Sequence, residues 1–392
     1  MTDSAINRDK PMAGTAQPWL SSALFDLSFI IGPAFIASIF VIVFHEQIQG
    51  YDFLPLWAWV VFVLMVDVAH VYSTLFRTYL DPVAFRNNST LLISIPVLAW
   101  AVGALLYSVD GMLFWRALAY LAVFHFIRQQ FGFVALYSRK DYGAGLIWNS
   151  WNRRIDALSI YMATLYPIFY WHTHLPRNFN WFIAGDFFVG VPDVVSKFAF
   201  IAYLLVGAAY VLKEAVQFLK TGFFNLPKNL IVVGTALAWW IGIVALNSDM
   251  AFTITNVITH GIPYIALVWL YHNRVGKGDR AKDSTKNSTA SSDSNLSRVS
   301  NFFVLIRNLI LSYLPAFLVF LVLLAYLEEG LWDGFVWREH GTIFGIFQAL
   351  PVLKDPLVLS LLIPFLALPQ STHYVLDGFI WRIKDTSKSW SI

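Results

Sequence analysis

Long apolar runs separated by short polar connections dominate this chain. A helix needs about twenty predominantly apolar residues to cross a hydrocarbon core of about 30 Å. Windows of that kind lie near 20–44, 52–75, 90–108, 112–137, 155–171, 194–219, 227–246, 250–272, 302–327 and 356–382. The pattern predicts an all-α, polytopic integral membrane helix bundle of about ten transmembrane helices. A polar tail, 1–18, leads into a membrane bundle over 19–272 that holds the first eight helices. Residues 273–301, rich in Ser, Asp, Asn, Lys and Thr, read as a flexible linker. The last two helices follow within 302–384, and 385–392 form a second polar tail. Pro176 to Pro192 and Trp332 to Leu353 read as external loops whose aromatic residues suit the bilayer surface.

The polar connections sort by charge. Arg77 and Arg86 follow the second window, Arg139, Lys140, Arg153 and Arg154 the fourth, Lys220 and Lys228 the sixth, and Arg274, Lys277 and Arg280 the eighth. The alternate connections are poor in Lys and Arg, with His45-Glu46, Asp110, Asp249 and Glu328-Glu329. Because cytoplasmic loops are enriched in Lys and Arg, this alternation puts both termini in the cytoplasm. The expected location is a cell membrane, as a multi-pass protein of a bacterial inner membrane. The N-terminus lacks the pattern of a cleaved signal peptide, so its first helix is expected to serve as the insertion signal.

Composition narrows the chemistry. With 58% hydrophobic and 13% charged residues and a mean hydropathy of +0.60, the chain departs from soluble domains, which carry about 25% charged residues. The net charge of +3 needs no nucleic-acid partner, and none is expected. The absence of cysteine excludes disulfides, thiolate zinc sites, iron–sulfur clusters and cysteine nucleophiles. Any metal must therefore be held by His, Asp, Glu or amide oxygen.

Four histidines fall inside apolar windows: His70, His125, His260 and His373. Each lies roughly 10 to 20 Å below the cytoplasmic surface at 1.5 Å per residue, so the four can share one depth. Each has a polar residue one turn away: Asp67, Gln129, Asn256 and Asp377, at spacings of three or four that share a helix face. A metal-bound imidazole usually gives its second ring N–H to such a group. Ionisable groups at membrane depth are costly enough to mark function. The pattern predicts a metal site, with Asp67 or Asp377 as a further ligand. Histidine-rich sites with open positions suit non-heme Fe(II) and O2 chemistry, while spacing alone does not choose iron over zinc. Phe131, Tyr264 and Tyr374 are candidate substrate-lining residues for an apolar, lipid-like small molecule. His172 and His174 read as interfacial. Arg77 and Arg128 read as snorkelling, with Arg128 the better candidate for chemistry. Gly132, Gly261 and Gly378 are candidates for close helix approach or substrate access.

The ending Ala367-Leu368 followed by His373-Tyr-Val-Leu-Asp377-Gly-Phe-Ile-Trp-Arg382 resembles the C-terminal motif of the Brp/Blh membrane β-carotene dioxygenases. The stretch His125-Phe-Ile-Arg128-Gln129-Gln-Phe-Gly-Phe133 is similar to that family's His-x-x-Arg-His segment. The resemblance implies a histidine-rich, multi-helix membrane fold that uses Fe(II) and O2 to cleave a carotenoid into retinal, with His125 and His373 as ligands and Asp377 beside them. It covers two short motifs. Gln129 stands where the family has a second histidine, and the family's Pro-His-Gly and its His-Phe-Gly followed by Asp have no clear match.

The expected function is thus a membrane-embedded non-heme iron oxygenase acting with O2 on an apolar lipid or isoprenoid, a carotenoid among the candidates. Two readings stand beside it: a transporter or proton- or ion-coupled permease using the same buried His and Asp residues, and a non-catalytic membrane protein. A transporter should have a polar path reaching both membrane faces. An oxygenase should have a pocket closed towards the outside. The absence of a clear internal repeat weighs against the transporter.

Overall fold

The computed structural model describes residues 16–51, 53–139, 150–286, 305 and 307–381. Among them the regular elements are all helical and no strand occurs. The long helices are α1 (Ala23–Val43), α2 (Leu56–Arg77), α3 (Pro82–Val109), α4 (Gly111–Tyr137), α5 (Ser150–Thr173), α6 (Asp193–Thr221), α7 (Leu226–Ala245), α8 (Asp249–Lys286) and α9 (Leu314–Trp337). They are followed by α10 (Pro356–Leu366) and α11 (Leu368–Ile380). Seven helices, α1, α2, α3, α6, α7, α8 and α9, are long and apolar enough to cross a membrane. The α10–α11 pair, bent by 44°, adds an eighth if it is one broken span. The bend lies between Pro364 and Pro369, neither of which can donate a helical N–H. The windows 112–137 and 155–171 fold as α4 and α5, but Arg116, Arg128, Gln129 and Gln130 in one and Arg153, Arg154 and Asp156 in the other lower their apolarity.

Two expectations shift. The ninth window is broken: residues 307–312 are helical, Tyr313 is extended, and a new helix starts at Leu314, where Pro315 suits a first helical turn, and runs on to Trp337. Glu328 and Glu329 therefore lie inside it instead of in a connection. Glu328 is buried, accepting from the Tyr72 hydroxyl at 2.7 Å and from Gln370 Nε2 at 2.5 Å. Helix α8 continues through Lys286, past the expected start of the linker at 273, and 287–301 lie outside the described residues.

Helix α8 is the centre of the bundle: 83% of its apolar window is buried, against 17% for α3 and α6 at the periphery. It packs on α1, α2 and α7. Its closest approach to α2 is at Gly261, where a Cβ would come within 2.7 Å of Val66 Cγ1 and 3.1 Å of the Val66 carbonyl oxygen. A backbone atom cannot swing away, so Gly261 sets the α2–α8 distance on which His70 and His260 depend. Gly132 and Gly378 face open space and set no such approach. Gly261→Ala is expected to separate the two helices and lower metal occupancy severalfold while the protein still folds. Parallel metal analysis and size-exclusion chromatography check this.

From Trp59 to Val68, α2 is wound as a π-helix with i→i+5 hydrogen bonds. Such turns are uncommon and recur at functional sites. This one contains Asp67 and ends two residues before His70.

The aromatic connections fold inwards instead of lying on the bilayer surface. Phe179 and Phe187 are buried against Trp171, and Trp181 packs on Phe126. Asp186 holds this turn by accepting from the N–H groups of Phe182 and Ile183 at 2.6 and 3.1 Å. Burial pushes its carboxyl up, and those N–H donors pull the other way. In the second connection Phe344 is buried, and Asp333 accepts from the N–H groups of Glu339 and His340 and from Gln348 Nε2.

Candidate metal centre

Four helices, α2, α4, α8 and α11, each bring one histidine to a single point. His70, His125, His260 and His373 are at most 2% exposed, and their ligand nitrogens all lie within 4.8 Å of one another. Nε2 of His260 is 3.0 Å from Nε2 of His70 and 3.2 Å from that of His125, and Nε2 of His125 is 3.1 Å from that of His373. Ring contacts close the cycle: centroids are 4.6 Å apart for His70 and His260, 4.9 Å for His260 and His125, 4.5 Å for His125 and His373, and 4.9 Å for His373 and His70.

Hydrogen bonding orients the ring of His373, and a carboxylate faces that of His125. The Tyr264 hydroxyl donates to Asp377 Oδ1 at 2.5 Å. Its oxygen can then accept from Thr74 Oγ1 at 2.9 Å, and Thr74 in turn from Nδ1–H of His373 at 2.6 Å. The chain is directional because each hydroxyl has one proton to give. It leaves Nε2 of His373 with a lone pair pointing into the cluster. Nδ1 of His125 faces the other oxygen of Asp377 at 3.6 Å, which favours the same tautomer. Two lone pairs then meet at 3.1 Å, an arrangement that repels unless a cation lies between them. Nε2 of His260 likewise contacts two neighbours while holding one proton or one lone pair. The donor set therefore fits a metal ion, and these four histidines could hold one.

The predicted partners are redistributed. Asp377 lies between His125 and His373, 3.9 Å from Nδ1 of the latter, and so serves the neighbouring helix as well as its own. Asp67 Oδ1 is 3.8 Å from Nδ1 of His70. Gln129 does not face His125: its Nε2 donates to the His260 carbonyl at 2.9 Å. Asn256 donates to the Phe252 carbonyl of its own helix at 3.1 Å, and Nδ1 of His260 has no hydrogen-bond partner. Helical spacing names residues on one face, whereas these contacts are chosen by how α2, α4, α8 and α11 cross.

Thr74 was not foreseen. Its spacing of four from His70 places it on the same face, a signal that was there to read. Thr74→Val keeps the shape and removes the hydroxyl. Metal affinity is expected to fall about 10–100-fold, as for lost supports of metal-bound histidines, with recovery in Thr74→Ser; chelator competition measures both.

A cavity of about 1050 Å³ runs inward from the surface to residues that pack against this cluster, though none of the four histidines lines it. Exposed Phe53, Asn178, Asn180 and Ala184 line its outer part. Asp67, Phe126, Asn256, Gln370 and Tyr374 line its inner part. Phe126 stacks on His260 at 3.5 Å between centroids, and Tyr374 lies 5.0 Å from His125. The expected lining role thus fits Tyr374 alone of the three aromatics. Tyr264 belongs to the hydrogen-bonded chain, and Phe131 stacks on Tyr161 away from the cavity.

The remaining singled-out residues lie elsewhere. His172 is satisfied by the Tyr120 hydroxyl at 2.7 Å and the Ile168 carbonyl at 2.8 Å, and His174 stacks on Tyr170. Arg128 reaches the Tyr161 hydroxyl, while Arg77 is buried beneath Tyr271 and Trp381 and donates to the Ile380 carbonyl at 2.9 Å. Arg77 is linked to the centre through Trp381, which donates to the Tyr264 hydroxyl.

A second buried polar group joins α5, α6 and α7. Lys213 contacts Asp156 and lies 2.5 Å from Glu214, and Lys228 lies 2.6 Å from Glu214. Asn229 Nδ2 donates to the other Glu214 oxygen at 2.7 Å. Two cations and two anions thus neutralise one another.

Comparison with protein-family models, with curated proteins and with solved structures returned no match.

Proposed function

We propose that this chain is a membrane-embedded non-heme iron oxygenase in which His70, His125, His260 and His373 hold Fe(II) and O2 acts on an apolar lipid or isoprenoid, a carotenoid among the candidates. Bound there, iron would supply the activation of O2. The observation that carries the reading is the meeting of four buried histidine nitrogens at one point, packed against Phe126 and Tyr374, which line a large cavity. For metal–nitrogen bonds of about 2.1 Å, neighbouring ligands lie about 3.0 Å apart at right angles and about 3.4 Å apart at tetrahedral angles. The spacings of 3.0, 3.1 and 3.2 Å lie within that range, so they fit one metal ion without choosing its coordination number.

The protein's own part is holding and excluding. Thr74, Tyr264 and Asp377 keep the Nε2 lone pairs inward. Phe126 covers one face of His260, and Tyr374 lies against His125, so aromatic rings stand between the cavity and these two ligands. Cleavage of a carbon–carbon double bond by O2 into two carbonyl groups balances without an external reductant, so the reading asks for no electron-donor partner. The resemblance in the segments from His125 and from His373 supports the same class.

The test is anaerobic Fe(II) loading of purified protein, followed by O2 consumption against a panel of carotenoids, other isoprenoids and lipids. Products carrying isotope from labelled O2, absent in His125→Ala, are expected. No bound transition metal and no O2-dependent product would overturn the reading. One observation favours a proton-coupled permease instead: the cavity opens among Phe53, Asn178, Asn180 and Ala184, in connections read as external, where an oxygenase pocket is expected to be closed, and the cluster carries the polar chain His373–Thr74–Tyr264–Asp377. Proton flux in proteoliposomes, lost in Asp377→Asn, would bring that reading forward.

A further inference from the structure

The cavity wall joins three features: aromatic faces, carboxylates without a cationic partner, and a buried amide oxygen with nothing to accept from. The aromatic faces include Trp59, Trp115, Trp181, Trp332, Trp337 and Tyr374. Five acidic residues line the wall, Asp67, Asp249, Glu329, Asp333 and Glu339, against one basic residue, Arg177. Arg177 is already engaged, donating to the carbonyls of Ile243 and Leu246 at 2.8 and 2.6 Å. Asp333 is engaged by the N–H groups and amide described above, and Asp249 by Thr253 and the Leu54 backbone.

Two carboxylates at the inner part remain. Asp67 meets only the ring of His70, at 3.8 Å, and Glu329 makes no ion pair among the described residues. Beside them Asn256, 2% exposed, keeps its Oδ1 buried without a hydrogen-bond partner while both protons of its amide group point to Phe252 and Thr255. Gln370 repeats the pattern, with Nε2 spent on Glu328 and Oε1 unpartnered. The two buried amide atoms left without a partner here are both acceptors. Buried acceptors left unsatisfied are costly, and a ligand that donates would remove that cost.

We propose that the cavity takes an amphipathic organic cation, an apolar body bearing an ammonium head, with the head between Asp67, Glu329 and the Asn256 amide oxygen. Aromatic faces attract cations through their quadrupole, and more strongly where water is excluded. An ammonium donates to carboxyl and amide oxygens, whereas a fatty acid carboxylate brings only further acceptors. The lipid and isoprenoid candidates thereby narrow to those that carry an amine, since a plain hydrocarbon would leave the acceptors unsatisfied. The inference deepens the reading of the cavity as the substrate site of the histidine centre and rests on it. The ammonium can belong to a free amine or to an ethanolamine lipid headgroup.

The test uses metal-free protein in maltoside micelles, which carry no ammonium, and follows quenching of tryptophan fluorescence by hexylammonium, hexanol and hexanoate. Saturable binding of hexylammonium at least tenfold tighter than hexanol is expected, with none for hexanoate. In Asp67→Asn and Glu329→Gln, hexylammonium should fall to the level of hexanol. A short-chain phosphatidylethanolamine that binds tighter than hexylammonium would identify the lipid headgroup as the source; a weaker one would identify the free amine. Equal binding of amine and alcohol, preference for hexanoate, or no saturable binding would overturn the proposal, and this ranking on the unaltered chain stands even if a variant fails to fold. Metal content measured on the same samples reports separately on the iron centre.

Discussion

His125→Ala and His373→Ala are each expected to lower metal affinity by more than ~100-fold, so that purified protein falls from near one ion per chain to less than a tenth of that. The magnitude follows from position. Removing a group that only supports a metal-bound histidine costs about 10–100-fold, and these substitutions remove the ligands themselves. Both rings touch Asp377 and each other, so either loss also frees the pair that held the remaining imidazole in place. His172→Ala, which alters a histidine satisfied by Tyr120 and Ile168, is expected to leave metal content unchanged. Elemental analysis of the three variants beside the unaltered chain decides the matter. Unchanged metal in His125→Ala and His373→Ala together would show that the four histidines do not form the site.

The second large effect lies where α5, α6 and α7 meet. Glu214→Ala is expected to destabilise the protein by about 3–5 kcal/mol, because it removes a carboxylate that contacts both buried Lys213 and buried Lys228. The side chains concerned are at most 7% exposed, so water cannot replace the missing charge. Taking away one cation and one anion together is different. Glu214→Leu with Lys228→Met keeps the Lys213–Asp156 pair and is expected to cost far less, since apolar replacement of a buried pair is often neutral or stabilising. Thermal unfolding in detergent compares the two. Equal losses would mean that the shape of these side chains, and not their charge balance, carries the stability.

The helices and their buried histidines could be read from the chain because each depends on local information. A window of apolar residues predicts a helix of spanning length, and a histidine within it is at membrane depth whatever it touches. Contacts between helices carry no such local mark. Thr74 meets His373 across 299 positions, and Asp377 meets His125 across the interface of α4 and α11. Asn256 and Gln129 lay on the right helices at the right spacing, yet their amides turned to backbone carbonyls, because a carbonyl within reach satisfies a donor at no cost in ordering. Glu328 and Glu329 were misassigned because charge was taken as the end of a span, while Tyr72 and Gln370 satisfy Glu328 inside one. Lys213 and Glu214, adjacent in sequence, gave no sign of being buried, since adjacent opposite charges are as common on wet surfaces.

The four histidines are separated by 55, 135 and 113 positions, and His373 arrives with α11. During synthesis the first three can meet long before the fourth has left the ribosome, and until then their nitrogens face a gap. The four-histidine centre is thus complete only after α11 has docked on α3 and α4. An insertion factor that delayed α11 would hold the protein in a state that exposes three imidazoles to whatever divalent ion is abundant. The order in which helices dock then becomes a means of choosing the metal.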